Sequence, residues 1–168
     1  EFTPDATYGL TVPNGFYYVG GNLDTGVIIS DNIADKYDGK TDKTTYEYTT
    51  SLKGNQFVWI PCSIDDYKKT DWGKQNASWE DTTERGETVQ ISQYGGFYVA
   101  RYEAGVPSDA SFSLLQNSAK YTGDKNNINL IPVSKKNNQS WNYISQKNAK
   151  TVSEKMYDAN KAAVKSQL

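Results

Sequence analysis

An α+β fold built from short strands, long irregular loops and one clear C-terminal helix is what this sequence predicts. Three observations carry that expectation. Two runs of aromatic and β-branched residues, Asn55-Gln56-Phe57-Val58-Trp59-Ile60-Pro61 and Gly95-Gly96-Phe97-Tyr98-Val99-Ala100-Arg101-Tyr102-Glu103-Ala104-Gly105, are bounded by glycine or proline and read as a pair of core strands. Hydrophobic residues make up only 36% of the 168, yet 13 are Tyr and 4 are Trp, so aromatic side chains must supply much of the core area, a composition that suits strands better than helices. A single stretch near the C-terminus repeats its apolar residues at helical spacing.

Taken in order, Glu1 to Thr7 reads as a flexible lead-in in which Glu1-Phe2 resembles a cloning remnant, and residues 8–168 read as one domain. Tyr8 to Val12, the turn signal Pro13-Asn14-Gly15 and Phe16 to Val19 predict a hairpin. Gly26 to Ser30 is a further strand. Between Asp31 and Lys43 the carboxylates Asp31, Asp35 and Asp38 are weak candidates for a metal loop, but no frame supplies the alternating ligands, the glycine and the glutamate of a calcium hand, so a solvated surface loop is expected. Thr44 to Thr50 alternates like a surface strand. In the long polar stretch Ser63 to Glu87, Trp72 and Trp79 stand beside Asn, Asp and Gln, the composition of sugar and peptide sites, although rings that pin the loop to the core are the simpler reading.

Val89 to Ser92 predicts a short strand leading into the central run, where Phe97, Val99 and Arg101 share one face and Tyr98, Ala100 and Tyr102 the other. Both faces are then largely apolar and expected to be covered. Arg101 and Glu103 lie on the same face, as polar anchors at a pocket mouth or, more simply, as a structural pair where the strand leaves the core. Val106 to Asn129 is a second long loop with a weak helical signal at Phe112-Ser113-Leu114-Leu115. Leu130 to Val133 restores order, and Ser145 is placed to cap a helix whose apolar face is Ala149, Val152, Met156 and Tyr157, with Ile144 and Ala149 as its staple. Asn160 to Val164 begins a shorter helix.

Composition also removes function classes. A net charge of -2 with no basic run excludes electrostatic attraction to nucleic acid, and no apolar stretch predicts membrane insertion of this segment. The absence of His excludes Ser-His-Asp and Cys-His mechanisms, and the lone Cys62 excludes an internal disulfide and reads as a small buried residue. Carboxylate pairs drawn from Asp65, Asp66, Asp71, Glu80 and Asp81 remain conceivable for glycoside hydrolysis only in principle, since their separation is not a property of the sequence.

The succession Phe57-Val58-Trp59-Ile60-Pro61, then Gly96 to Glu103, then Pro132-Val133 followed by Ser140-Trp141-Asn142-Tyr143-Ile144-Ser145 and an alanine-bearing helix resembles the formylglycine-generating enzyme (sulfatase-modifying factor) family. The opening Val12 to Gly21 and Asp24 to Ile29 look like its divergent bacterial branch, which occurs on secreted and surface proteins, sometimes behind a pilin-like helix. The resemblance implies a C-type-lectin-like fold. It also implies an enzyme that binds Cu(I) through a pair of cysteines, which this chain, with Cys62 alone, does not have. The family continues past the helix with a Thr-Glu-Ala-Glu-Trp-Glu segment, whereas this sequence ends at Leu168, so the domain reads as complete in shortened form or as truncated at its C-terminal end.

The resulting expectation is a non-catalytic extracellular binding or surface-display domain of a bacterial protein, without cofactors, taking a glycan or protein ligand on Trp72, Trp79 and Trp141 with Arg101 and Glu103 nearby. The alternatives are a structural subunit of a pilus or surface filament, contacting neighbouring subunits, and the N-terminal half of a cysteine-oxidising enzyme.

Overall fold

The computed structural model describes residues 2–5, 10–40, 51–69, 91–107, 130–141 and 144–157. Its described part is mixed α and β. A two-stranded antiparallel sheet joins β1 (Phe2–Asp5) to β2 (Leu10–Pro13), and a four-stranded antiparallel sheet runs in the order β3 (Tyr17–Gly20), β4 (Ile28–Ser30), β5 (Gln56–Pro61) and β6 (Gly96–Ala100). Two helices, α1 (Ile64–Lys69) and α2 (Gln146–Glu154), complete the named elements together with a 3-10 turn at Ile33–Asp35. No helix among the described residues is long and apolar enough to cross a membrane.

The expected pairing of the two central runs is present, with Phe57 opposite Ala100, Trp59 opposite Tyr98 and Pro61 opposite Gly96. Because side chains alternate along a strand, this register puts Tyr18, Ile29, Phe57, Trp59 and Tyr98 on one face. That inner face carries the core. Val12, Phe16, Ile29 and Tyr157 pack there with Phe57, Tyr98 and Met156, and Leu10, Val27 and Trp59 pack beside them with Tyr18, Tyr94 and Tyr98. Aromatic rings meet edge to face, with centroids 5.2 Å apart for Phe16 and Tyr157, 5.7 Å for Phe16 and Phe57, and 5.0 Å for Trp59 and Tyr98. Such contacts add to the area buried, since the positive ring edge meets the negative ring face. The aromatic-rich composition is spent here.

Several expectations need correction. Pro13-Asn14-Gly15 does turn, with Phe16 N–H donating to the Pro13 carbonyl at 3.0 Å, but β2 and β3 do not form a hairpin. Leu10, Val12 and Phe16 are all buried against the inner face of the larger sheet, so β2 lies over that sheet and pairs instead with β1, where a flexible lead-in was expected. The run from Gly95 to Gly105 is not covered on both faces. In the described sheet β6 is an edge strand, and the outer-face cover of Val19, Tyr37 and Leu52 reaches Ile28 and Val58 but stops there, leaving Ile60 39% and Val99 44% exposed. The most buried strand is the three-residue β4, every residue of which is inside.

Of the strand expected at Val89 to Ser92 only residues 91 and 92 are described, and they open a helical stretch, 91–94, closed by Gly95 N–H donating to the Ile91 carbonyl at 2.8 Å. Ile91 is buried and Tyr94 joins the core three positions later, a spacing that suits a helical turn and not a strand. The stretch after Cys62 is also less irregular than expected. Ser63 caps α1, its hydroxyl accepting from Asp66 N–H at 3.0 Å and donating to the Asp66 carboxylate at 2.7 Å.

Ser145 caps α2 as expected, accepting from Asn148 N–H at 3.3 Å. The helix ends at Glu154, earlier than its apolar pattern, and a turn carries Met156 and Tyr157 into the core, with Met156 N–H donating to the Ser153 carbonyl. Val152 and Ile144 pack instead in a separate cluster with Val106, Trp141 and Leu130. Thr44 to Thr50, Phe112 to Leu115 and Asn160 to Val164 lie outside the described residues.

Two substitutions test this packing. Ile29→Ala, at a 1% exposed position in the middle of the sheet, should lower unfolding free energy by about 3 kcal/mol in urea titrations. Gly21 has φ +80, and a Cβ there would collide with the backbone of Gly26 just past the β3 bulge. Gly21→Ala should therefore cost about 2 to 3 kcal/mol, and a neutral result would contradict the conformation of that turn.

Candidate functional site

The strongest concentration of polar chemistry is buried at the end of the sheet where β4 stops and β5 starts. Asn32 opens the 3-10 turn, its side chain accepting from Ala34 N–H at 2.9 Å, and the turn delivers Asp35 inward to 1% exposure. There one carboxylate oxygen accepts from the Ser30 hydroxyl at 2.6 Å and Gly54 N–H at 2.7 Å, and the other accepts from Lys53 N–H at 2.9 Å. Three donors offset the desolvation of the charge. Gly54 is required by the close approach, since a Cβ would run into Ser30 Oγ and Asp31 Oδ1.

Asp31 holds the next residue. Its Oδ1 accepts from Asn55 N–H at 2.7 Å, and its Oδ2 from the Asn55 side-chain amide at 2.8 Å and the Tyr157 hydroxyl at 3.1 Å. Asn55 in turn accepts from Ser134 N–H at 2.9 Å. Ser134 Oγ donates to the Gln56 carbonyl at 2.9 Å and accepts from Tyr102 N–H at 3.1 Å, while Gln56 N–H donates to the Ser134 carbonyl at 2.9 Å. Ser30, Asp35, Gln56 and Ser134, the fully buried polar side chains among the described residues, all belong to this one network.

The candidate metal ligands are therefore drawn apart. Asp31 and Asp35 face residues 53–55, whereas Asp38 is exposed and accepts from Lys40 N–H at 2.8 Å in a local turn. Among the described residues no three His, Cys, Asp or Glu come together as a ligand set. The solvated loop expected from Asp31 onward is in part a buried brace. The Cys62 thiol, half-buried, donates to the Ser63 carbonyl at 3.4 Å, and as the single thiol of the chain it does not fit the two-thiolate Cu(I) site of the resembled enzymes.

Arg101 and Glu103 have different partners. Arg101 Nη1 donates to the Gln56 side chain at 2.9 Å, with the guanidinium carbon 5.5 Å from the Tyr102 ring centre, and the exposed Glu103 accepts from the Ser140 hydroxyl at 2.6 Å. Trp141 is not on the surface. Gly105 bridges both Val133 and Ser140, and Trp141 N–H donates to the Ala104 carbonyl at 2.7 Å, so the ring turns to the side opposite Ser140 and packs on Val106 and Val152 with its indole nitrogen buried and without a partner. Asp65 and Asp66 are exposed on α1, Asp66 being held by Ser63. Trp72, Trp79, Asp71, Glu80 and Asp81 lie outside the described residues.

Both long polar stretches are anchored at hydrogen-bonded points. Before the first, Cys62 N–H donates to the Gly95 carbonyl at 2.9 Å, which joins the end of β5 to the start of β6. At the second, Gly105 and Val133 exchange N–H to carbonyl bonds of 2.7 and 3.0 Å. Along the chain these anchors stand on either side of β6.

Sequence reasoning named Asp35 only as a weak metal candidate and Tyr157 only as part of an apolar helix face, and it missed the roles of these two and of Asn55 and Ser134 in the polar network. Apart from the Ser30 hydroxyl, five positions before Asp35, the partners that these residues meet lie between 18 and 126 positions away. Compared with known proteins, the chain matches no family model, no curated protein and no solved structure.

Removing Asp35 strands a hydroxyl and two backbone amides, so Asp35→Ala should destabilise by about 3 kcal/mol and Ser134→Ala by about 1 to 2, read from denaturant midpoints. Losses under about 0.5 kcal/mol in both would show that the network is not closed. Burial, and then the neighbouring Asp31 carboxylate, hold the Tyr157 phenol well above its ordinary range. The folded state therefore keeps a proton that the unfolded chain gives up near pH 10. Tyr157 contributes fully below that pH, and its contribution falls by as much as about 1.4 kcal/mol per pH unit above it. Tyr157→Phe should cost about 1 kcal/mol at pH 7 and lack this component, so the gap between the two proteins should shrink and reverse as pH rises past 10.

Proposed function

We propose that this domain is a non-catalytic binding or surface-display module of a bacterial extracellular protein, with a C-type-lectin-like, formylglycine-generating-enzyme-like fold and a glycan or protein ligand. The observation that carries the reading is the pinning of the chain at both ends of β6, where Cys62 is bonded to Gly95 and Gly105 to Val133. Long polar stretches that start from fixed points on a hydrogen-bonded scaffold are the usual way a domain presents recognition residues. Arg101, Asp31 and Asp35 make contacts within the fold, which leaves recognition to the stretch that carries Trp72 and Trp79. In that stretch a flat ring beside Asn, Asp and Gln would combine stacking with amide hydrogen bonds, the chemistry that a sugar or an extended peptide requires. The bacterial and extracellular setting rests on the sequence resemblance.

Trp59 and Trp141 are buried, so a water-soluble quencher such as iodide should reach them poorly. In a titration with panels of glycans and peptides, a ligand should protect fluorescence that iodide otherwise quenches, and the double variant Trp72→Ala, Trp79→Ala should abolish that protection while remaining folded. If no member of either panel alters the signal of a folded sample, the binding reading is lost. Reversible assembly that grows with concentration in sedimentation runs would instead favour a filament subunit.

A further inference from the structure

We draw no further inference here: the strongest candidate, the apolar stripe of Ile60, Phe97 and Val99 on the outer sheet face beside the β6 edge, is exposed at Ile60 and Val99, but nothing in the structure shows what covers it.

Discussion

A carboxylate at 1% exposure is the constraint on which the rest of the described structure depends. An ionised group in that position is tolerated only if donors replace the water it has lost. Ser30 and the amides of Lys53 and Gly54 do so for Asp35, which forces the chain after residue 51 to return against the end of β4. Asp31 then takes hold of Asn55, and β5 starts with its register against β4 already determined, Gln56 opposite Ser30 and Val58 opposite Ile28. The same brace reaches the layer outside the sheet through Ser134, which joins the first residues of β5 to the chain leaving β6.

Tyr157 ties this polar network to the apolar core. Its ring sits between Phe16 and Phe57, at 5.2 and 5.9 Å between centroids, while its hydroxyl reaches Asp31. One side chain therefore docks the end of the C-terminal helix by two unlike interactions, edge-to-face ring contact and a hydrogen bond to a carboxylate. Val152, five residues earlier, docks the same helix on Val106 and Trp141. The helix is short, nine residues, and marginal by itself, so these tertiary contacts hold it.

The consequence for function is a redistribution of roles. Arg101 and the aspartates, which in the linear sequence look available to a ligand, spend their hydrogen-bonding capacity on neighbouring segments. Trp141, with the same composition around it as Trp72 and Trp79, is a core residue because the bridge from Gly105 to Ser140 turns it inward.

Local chemistry was legible in the sequence: the Gly- and Pro-bounded strands β5 and β6, the turn at Pro13 to Gly15 and the Ser145 cap each depend on contacts within a few residues. The Ser63 cap, three residues before Asp66, was equally local. What only the tertiary structure decided is partnership. The turn after Pro13 became a corner between two sheets because Leu10 and Val12 had a large apolar face to cover, and β4 became the most buried strand although three residues are too few to show a period. Asp35 faced inward because donors 18 and 19 positions away came to meet it. Alternation and capping are written in neighbouring residues, whereas the burial of a charge is settled by groups that only the folded chain brings together.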